Sequence, residues 1–331
     1  MILRPSVLCP IDFSGSSRGA LRYAGVIAAH VGARLTLLTV NDPLLEEADE
    51  FSGPGHLAED ATRELERFFR QTFRERPHGI PKVRLEVTTG KSAAEILRVS
   101  REKGCDLIVM SSHGLTGFRK LFFGSTTDRV LRETTVPVLV TPGTDPGPDK
   151  LEDVPRLVPR VLVPVDLTAA TPHQLEIARG LAEAIQVPIM LLHVVEPVRT
   201  LSAAQPRLSK VDAERRYRAE RELENIVQDM PPRIKPEALV AYGGPAEEIA
   251  KVATDRDAGI IIMGLHSSPV LGPRMGSVTY RVLCVAHRLV LAIPPVPAAS
   301  RALDAVEGES YAGNTINPGE QLMLADEPAG P

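Results

Sequence analysis

The chain has 331 residues, of which 43% are hydrophobic and 24% charged, as in ordinary globular proteins, and this length suits two domains better than one. A net charge of -4 and an aromatic content of 4% argue against a nucleic-acid surface. No apolar run reaches the length of a membrane span, and the polar Arg4 and Asp12 argue against a signal peptide.

The first part of the chain alternates short apolar runs with amphipathic segments. The runs at 6–11, 35–40, 83–88, 107–110 and 136–140 are predicted strands. Between them we predict helices, the first capped by Ser14 or Ser16 and ended by Gly32. Strands joined by helices indicate right-handed crossovers and a parallel sheet.

The second part repeats the first with a period of about 154 residues. Val7-Leu-Cys-Pro-Ile-Asp12 matches Val161-Leu-Val-Pro-Val-Asp166, and Gly90-Lys-Ser-Ala-Ala-Glu-Ile96 matches Gly243-Gly-Pro-Ala-Glu-Glu-Ile249. The repeated strands are predicted at 161–165, 189–194, 236–241, 260–263 and 289–293. We therefore expect domains at 1–142 and 160–297, a Pro-rich exposed linker at 143–159 and a disordered tail at 298–331.

One stretch, 107–127, carries the clearest functional signal. A buried strand is followed by Ser111, Ser112, Gly114 and Gly117, and then by Gly124-Ser-Thr-Thr127 at the start of a helix. A strand, a glycine loop and a helix N-terminus form an anion site, because the free N–H groups of the first turn point outward. The stretch lacks the Gly-Lys-Ser/Thr of a Walker A loop.

The spacing of this stretch resembles the universal stress proteins. Nucleotide-binding members carry Gly, two residues, Gly, nine residues and Gly-Ser/Thr; here Ser111 takes the first position and Gly114 and Gly124-Ser125 the others. The resemblance implies two tandem copies of a Rossmann-like five-stranded parallel sheet, flanked by helices, with strand order 3-2-1-4-5. It also implies ATP as the ligand, accompanied by Mg²⁺.

The resemblance further implies which residues hold the nucleotide. The predicted nucleotide-binding residues are Pro10, Asp12, Val40, Ser111, His113, Gly114, Gly124, Ser125 and Thr126. Asp12 could instead cap the first helix, but the recurrence of Pro-x-Asp at Asp166 favours the pocket. Val40 could fill the core as well as line the pocket. Arg119 and Lys120 could neutralise phosphates, but such a pair is more often solvated surface charge, and we leave it out of the site.

The second copy is predicted to bind nucleotide weakly or not at all. Its residues at the matching positions are Asp166, Val194, Gly264, Gly276 and Ser277. Its loop is one residue shorter, and Pro269 and Pro273 remove backbone donors from it. We therefore expect about one tight site per chain.

Three functions are ranked. The first is an ATP-binding stress-response regulator with little or no turnover, and the second is a ligand-free scaffold that acts through protein partners. The third, well behind, is a weak ATPase or adenylating enzyme, since no catalytic residue or acidic Mg²⁺ cluster is evident. Nucleic-acid and membrane partners are not expected.

Two further expectations concern setting and assembly. Cys9, Cys105 and Cys284 form no spaced pair, and His and Cys do not cluster, which favours reduced thiols, no metal site and a cytoplasmic protein. The fifth strands, 136–140 and 289–293, are apolar edges and should pair across an internal pseudo-dimer. By resemblance alone, tandem chains could also form homodimers.

Overall fold

A computed structural model of the chain describes residues 4–46, 56–73, 83–113, 124–168, 170–197, 205–265, 267–268, 272–273 and 275–295. The predicted tail and the loop residues 114–123, with Gly114, Arg119 and Lys120, lie outside this part. None of the described helices is long and apolar enough to cross a membrane.

The first copy contains the predicted strands, each displaced by no more than two residues at either end. The strands are β1 (Ser6–Pro10), β2 (Arg34–Asn41), β3 (Val83–Thr89), β4 (Leu107–Ser111) and β5 (Val138–Thr141). The helices are α1 (Gly15–Val31), α2 (Leu57–Thr72), α3 (Ser92–Glu102) and α4 (Ser125–Glu133).

The second copy repeats this order. Its strands are β6 (Val161–Pro164), β7 (Ile189–Val195), β8 (Glu237–Tyr242), β9 (Ile260–Gly264) and β12 (Leu289–Ile293). Its helices are α5 (Thr171–Ile185), α6 (Gln205–Gln228), α7 (Pro245–Asp255) and α8 (Ser277–Val285). An antiparallel pair, β10 (Ser267–Ser268) and β11 (Gly272–Pro273), lies within the second glycine loop and was not predicted.

All ten long strands join one sheet, in the order β3-β2-β1-β4-β5-β12-β9-β6-β7-β8. Each half has the order 3-2-1-4-5, read from opposite ends, so the predicted fold class is confirmed. Neighbours within each half are parallel. The halves meet where β5 and β12 pair antiparallel, with Leu139 opposite Leu291, as predicted for the fifth strands.

The first helix forms where the sequence patterns place it. The Ser14 side chain accepts a hydrogen bond from the Ser17 N–H, and Gly32 ends the helix in the left-handed region at φ 64°. Leu21, Ala24 and Ala28, spaced three and four residues apart, are fully buried on one face. This face packs α1 against β1 and β4.

The segment between the copies is docked along α1 rather than fully exposed. The Tyr23 hydroxyl donates to Asp145 at 3.0 Å, and the Ser16 hydroxyl donates to the Gly143 carbonyl at 3.0 Å. A 3-10 turn at Leu151–Asp153 and a one-turn helix at Val154–Leu157 follow. The prolines and charges of this segment predicted an exposed linker. They predicted this because nothing in the segment itself indicates that α1 offers a surface to pack against.

Candidate functional site

The carboxyl ends of β1 and β4 form the point where the strand order of the first copy reverses. These strands pair only through Val7 with Leu107 and Leu8 with Ile108. Beyond these pairs, β1 bonds to β2 and β4 bonds to β5. In open parallel sheets such a reversal leaves a crevice for ligands at the carboxyl edge.

Asp12 fixes the turn from β1 into α1. Its Oδ1 accepts hydrogen bonds from the Ser14 N–H at 3.1 Å and from the Ser14 hydroxyl at 2.6 Å. Phe13 between them has φ 62°, a conformation that the turn imposes. These bonds support the helix-start role for Asp12, and its nucleotide role stays a prediction.

Asp166 holds the equivalent turn of the second copy in the same way. Its Oδ1 accepts from the Thr168 N–H at 3.1 Å and the Thr168 hydroxyl at 2.8 Å. Leu167 has φ 59°, matching Phe13. The recurring Pro-x-Asp therefore preserves one turn geometry in both copies.

Gly124 lies directly against the end of β4. Its N–H donates to the Ser112 carbonyl at 2.8 Å, and the Thr127 hydroxyl donates to the Ser111 carbonyl at 3.0 Å. A Cβ at position 124 would lie 3.2 Å from that Ser112 carbonyl oxygen, whereas φ is an ordinary -59°. Glycine is thus favoured here by close backbone approach and not by a left-handed conformation.

Ser111 and His113 bond within their own loop. The Ser111 hydroxyl donates to the His113 carbonyl, and the Ser112 hydroxyl lies 2.9 Å from His113 Nδ1. Ser111 stands where the nucleotide-binding family pattern has glycine, and its hydroxyl is satisfied internally. Gly114, the next residue of the pattern, lies outside the described residues.

A cleft opens beside the N-terminus of α4. It has a volume of about 570 Å³ and is lined by Asp42, Pro43, Leu44, Gly90, Lys91, Ser92, Ala93, Ser125, Thr126 and Arg129. The N-caps of α3 and α4, Lys91 and Gly124, make no side-chain capping bond. The cleft is therefore lined by the N-termini of α3 and α4, which lack side-chain caps, and by the cations Lys91 and Arg129. This combination suits an anion.

Lys91, Ser92 and Arg129 were missed by sequence reasoning. Lys91 and Ser92 lie inside the repeated stretch 90–96, which was used only to establish the duplication. These residues come near α4 only because β3, β2, β1 and β4 lie side by side in the sheet. That order brings turns that are distant in sequence to the same carboxyl edge. A glycine followed by Lys-Ser at a helix start was the available signal.

Pro10 and Val40 lie at the same edge. Pro10 ends β1, and Val40 near the end of β2 is half-buried and packs on the core under α3 and α4. Cys9, which precedes Pro10 and belongs to the core cluster on the α1 face, is fully buried, and burial, reinforced by the Asp12 charge, raises the pKa of its thiol. This thiol is held protonated and inert.

The second copy keeps the same framework but bridges two of its strands with a buried side chain. The Thr279 hydroxyl donates to the Gly264 carbonyl at 3.4 Å, repeating the bond of Thr127 to Ser111. The buried Gln174 amide, however, donates to the Pro164 carbonyl at 2.8 Å and to the Ile262 carbonyl at 2.7 Å. It bridges β6 and β9 where the first copy has only Ala20.

The remaining predicted residues of the second copy lie at the matching carboxyl edge. Val194 is half-buried in β7, Gly264 ends β9, and Gly276 is the N-cap of α8 with Ser277 as its first residue. Pro269 lies outside the described residues, and Pro273 belongs to β11.

Comparisons with known proteins agree with this architecture. A 26% identical stretch of 154 residues matches a universal stress protein of Methanocaldococcus jannaschii, covering 42% of this chain and 95% of that protein. The crystal structure of a universal stress protein from Archaeoglobus fulgidus matches 88% of this chain and 99% of its own, with a TM-score of 0.58 and 20% identity. A functionally unknown protein from Pseudomonas aeruginosa matches 94% of this chain and 98% of its own, with a TM-score of 0.61 and 17% identity.

The family assignment rests on a match that recurs along the chain. The model of the universal stress protein family matches residues 4–142 and again residues 158–294, which is most of the sequence. The two matches coincide with the two halves of the ten-stranded sheet. The chain belongs to the universal stress protein family, as a tandem member with two copies of the family's domain.

Proposed function

We propose that this protein is a stress-response regulator that binds ATP in its first copy, with little or no turnover. The proposed site runs from Pro10, Asp12 and Val40 at the carboxyl edge to the Gly124-Ser125-Thr126 turn. The observation that carries the proposal is Gly124, seated on the end of β4 so that the uncapped start of α4 opens into the cleft.

The donors at this edge fit a nucleotide. Ser125 and Thr126 supply hydroxyls and the first-turn N–H groups of α4, which suit phosphate oxygens. Asp12 and Val40, at the ends of β1 and β2, suit the ribose and adenine that the family resemblance implies. Mg²⁺ is the cation proposed to accompany the phosphates, because oxygen ligands and water are what it prefers.

The first experiment is a calorimetric titration of the full chain with ATP and Mg²⁺. We expect about one tight site per chain in the wild type, from the helix-terminus argument. Gly124→Val should weaken binding at least several-fold while circular dichroism stays native, because the added side chain meets the Ser112 carbonyl and blocks phosphate approach. Gly276→Val, at the equivalent position of the second copy, should retain the tight site.

A second pair of variants covers the case in which Gly124→Val disturbs the fold. Asp12→Ala should lose the tight site, whereas Asp166→Ala should keep it. If the Asp166 variant loses it and the Asp12 variant does not, the copies have been assigned the wrong way round. A wild-type protein that takes up no nucleotide at all would favour the ligand-free scaffold, and steady release of phosphate would favour the enzyme.

The remaining parts of the proposal concern domain bounds, cellular location, partners and assembly. The domain bounds 1–142 and 160–297 are proposed from the internal repeat, and a cytoplasmic location from the spacing of the cysteines. A homodimer of tandem chains is proposed from the family resemblance alone, and the protein partners are unidentified. Co-purification of nucleotide with freshly isolated protein is the simplest supporting observation.

A further inference from the structure

We propose that Lys91 binds the phosphate chain of the nucleotide and makes the first copy select polyphosphate ligands over the bare nucleoside. This inference rests on the proposed function, and it adds a residue that lies outside the glycine pattern. Lys91 comes from the turn between β3 and α3, far in sequence from the residues of 107–127. The cleft beside α4 brings it to the same space as Ser125 and Thr126.

The side chains of the cleft favour an anion. Lys91 and Arg129 are its cations, and Asp42 is the one carboxylate among the lining residues. The Asp42 Oδ1 already accepts the Leu44 N–H at 2.9 Å, and Arg129 bonds Glu133 at 2.9 Å. Among the residues that the structure describes, Lys91 makes no ion pair, so its ammonium is available to a ligand.

The duplication provides an internal comparison. The positions of Lys91 and Ser92 are taken in the second copy by Gly244 and Pro245, which removes the ammonium, the hydroxyl and one backbone donor. Thr126 is replaced by Val278, which removes a further hydroxyl. The second copy has therefore lost the groups that would contact phosphate at these positions.

The charge at these positions is also reversed. Asp42 corresponds to Glu196 and Arg129 corresponds to Arg281, while Ala94 of α3 corresponds to Glu247. The carboxylate of Glu247 bonds the Arg281 guanidinium, which neutralises the remaining cation. The charged residues at these positions are thus Lys91, Arg129 and Asp42 in the first copy and Arg281, Glu196 and Glu247 in the second. Both arginines are ion-paired, so the copies differ by the ammonium of Lys91 and by the added acid, Glu247, which repels a phosphate chain.

A free lysine beside a row of hydroxyls has a defined consequence for specificity. An ammonium attracts the charged phosphate chain and gains little from an uncharged nucleoside. Val40, where the adenine contact is proposed, pairs with Thr88, three residues before Lys91, but an uncharged base offers the ammonium no charge to attract. Lys91 should therefore change the affinity for ATP and leave the affinity for adenosine almost unchanged.

The test measures ATP and adenosine affinities of the full chain by calorimetry. Lys91→Ala should weaken ATP binding about tenfold, the usual effect of losing one charge-assisted bond, and change adenosine binding by less than about twofold. Arg129→Ala should weaken ATP binding in the same direction, and Arg281→Ala, at the equivalent position of the second copy, should leave it unchanged. Ala94→Glu, which introduces the acid of the second copy, should weaken ATP binding most.

The outcomes separate this inference from the proposed function. If the wild type binds ATP and Lys91→Ala binds it equally well, the inference is wrong and the nucleotide site stands. An equal loss for ATP and adenosine would show that Lys91 supports the fold of the edge and not the phosphates, which also overturns it. A wild type that binds neither ligand refutes the proposed function and this inference with it.

Discussion

Single residues at the carboxyl edge of the sheet serve structure and chemistry together. Asp12 holds the strand-to-helix turn through Ser14, and Gly124 permits α4 to begin against the β4 carbonyls. Because both positions have intact counterparts in Asp166 and Gly276, they do not distinguish the copies. Lys91 and Gln174 do, since each occurs in one copy only.

The ion pair of Glu95 with Arg98 provides a pH-dependent prediction. Hydrogen bonds from Arg98 hold the pKa of Glu95 below its usual value. A carboxylate with a lowered folded-state pKa stabilises the fold above its unfolded pKa, about 4.3, and this contribution disappears as the pH falls through the folded value. Glu95→Gln should therefore be less stable than wild type in urea at pH 7, with the difference vanishing in acid.

A matched control uses the other acid that contacts Arg98. Glu102 bonds the same guanidinium, but its side chain is 53% exposed, against 17% for Glu95. Solvent screening weakens exposed pairs, so Glu102→Gln should change the urea midpoint less. An equal loss at neutral and acidic pH for Glu95→Gln would contradict the assignment.

At the scale of elements, α1 packs against the segment that links the copies as well as against the sheet. Arg22 lies 3.0 Å from Asp149, and burial together with Asp145 raises the pKa of Tyr23, whose hydroxyl stays protonated and donates. The corresponding residues of α5 are Glu176 and Ile177, which cannot make these contacts. The first helix, unlike α5, thus holds the linker.

Gly19 makes that contact possible and provides the second prediction. A Cβ at this position would lie 2.0 Å from the Asp145 carbonyl oxygen, so Gly19→Ala must displace the linker. We expect a loss of about 1–3 kcal/mol in the free energy of unfolding, as for other overpacked contacts. Gly180→Ala in α5 is the control, because nothing lies within 4 Å of its added Cβ. It should be neutral or stabilising by up to about 1 kcal/mol, since alanine favours helix.

A destabilised Gly180→Ala with an unaffected Gly19→Ala would mean that the linker is free to move from α1. Denaturant unfolding of both variants, monitored by circular dichroism, decides between these results.

At the scale of the whole molecule, the described strands of the two copies join into one ten-stranded sheet. The β5–β12 pairing removes the apolar edges that each half would otherwise present. A single cluster of buried side chains under α1, α2, α5 and α6 includes residues of both copies. On the opposite face, Leu265 and Met275 from the second loop region pack among residues of the first copy, close to α4. The second copy therefore contributes to the core beneath the first copy's α4.

The third prediction follows from this continuity. The two copies should unfold together in a single calorimetric transition, because core and sheet both cross the junction. Leu139→Ala, which empties a buried position opposite Leu291, should lower the free energy of unfolding by about 2–5 kcal/mol and keep one transition. Two resolved transitions in the wild type would show that the copies are independent.

The sequence by itself determined the repeated strands, their order of appearance and the start and end of α1, because these depend on local periodicity and on residues such as Ser14 and Gly32. It also determined which glycine stretch leads into a helix. The strand order 3-2-1-4-5 came from the family resemblance, and the sheet confirms it.

Only the tertiary structure decided which residues lie beside the glycine stretch 107–127. Lys91, Asp42 and Arg129 share a cleft because three parallel strands end at one edge, and Gln174 spans two strands that are far apart in sequence. The linker lies on α1 because Gly19 leaves room for a backbone carbonyl. Such contacts depend on which distant segments pair with each other. The periodicity of neighbouring residues predicts a strand or a helix but does not indicate its partner.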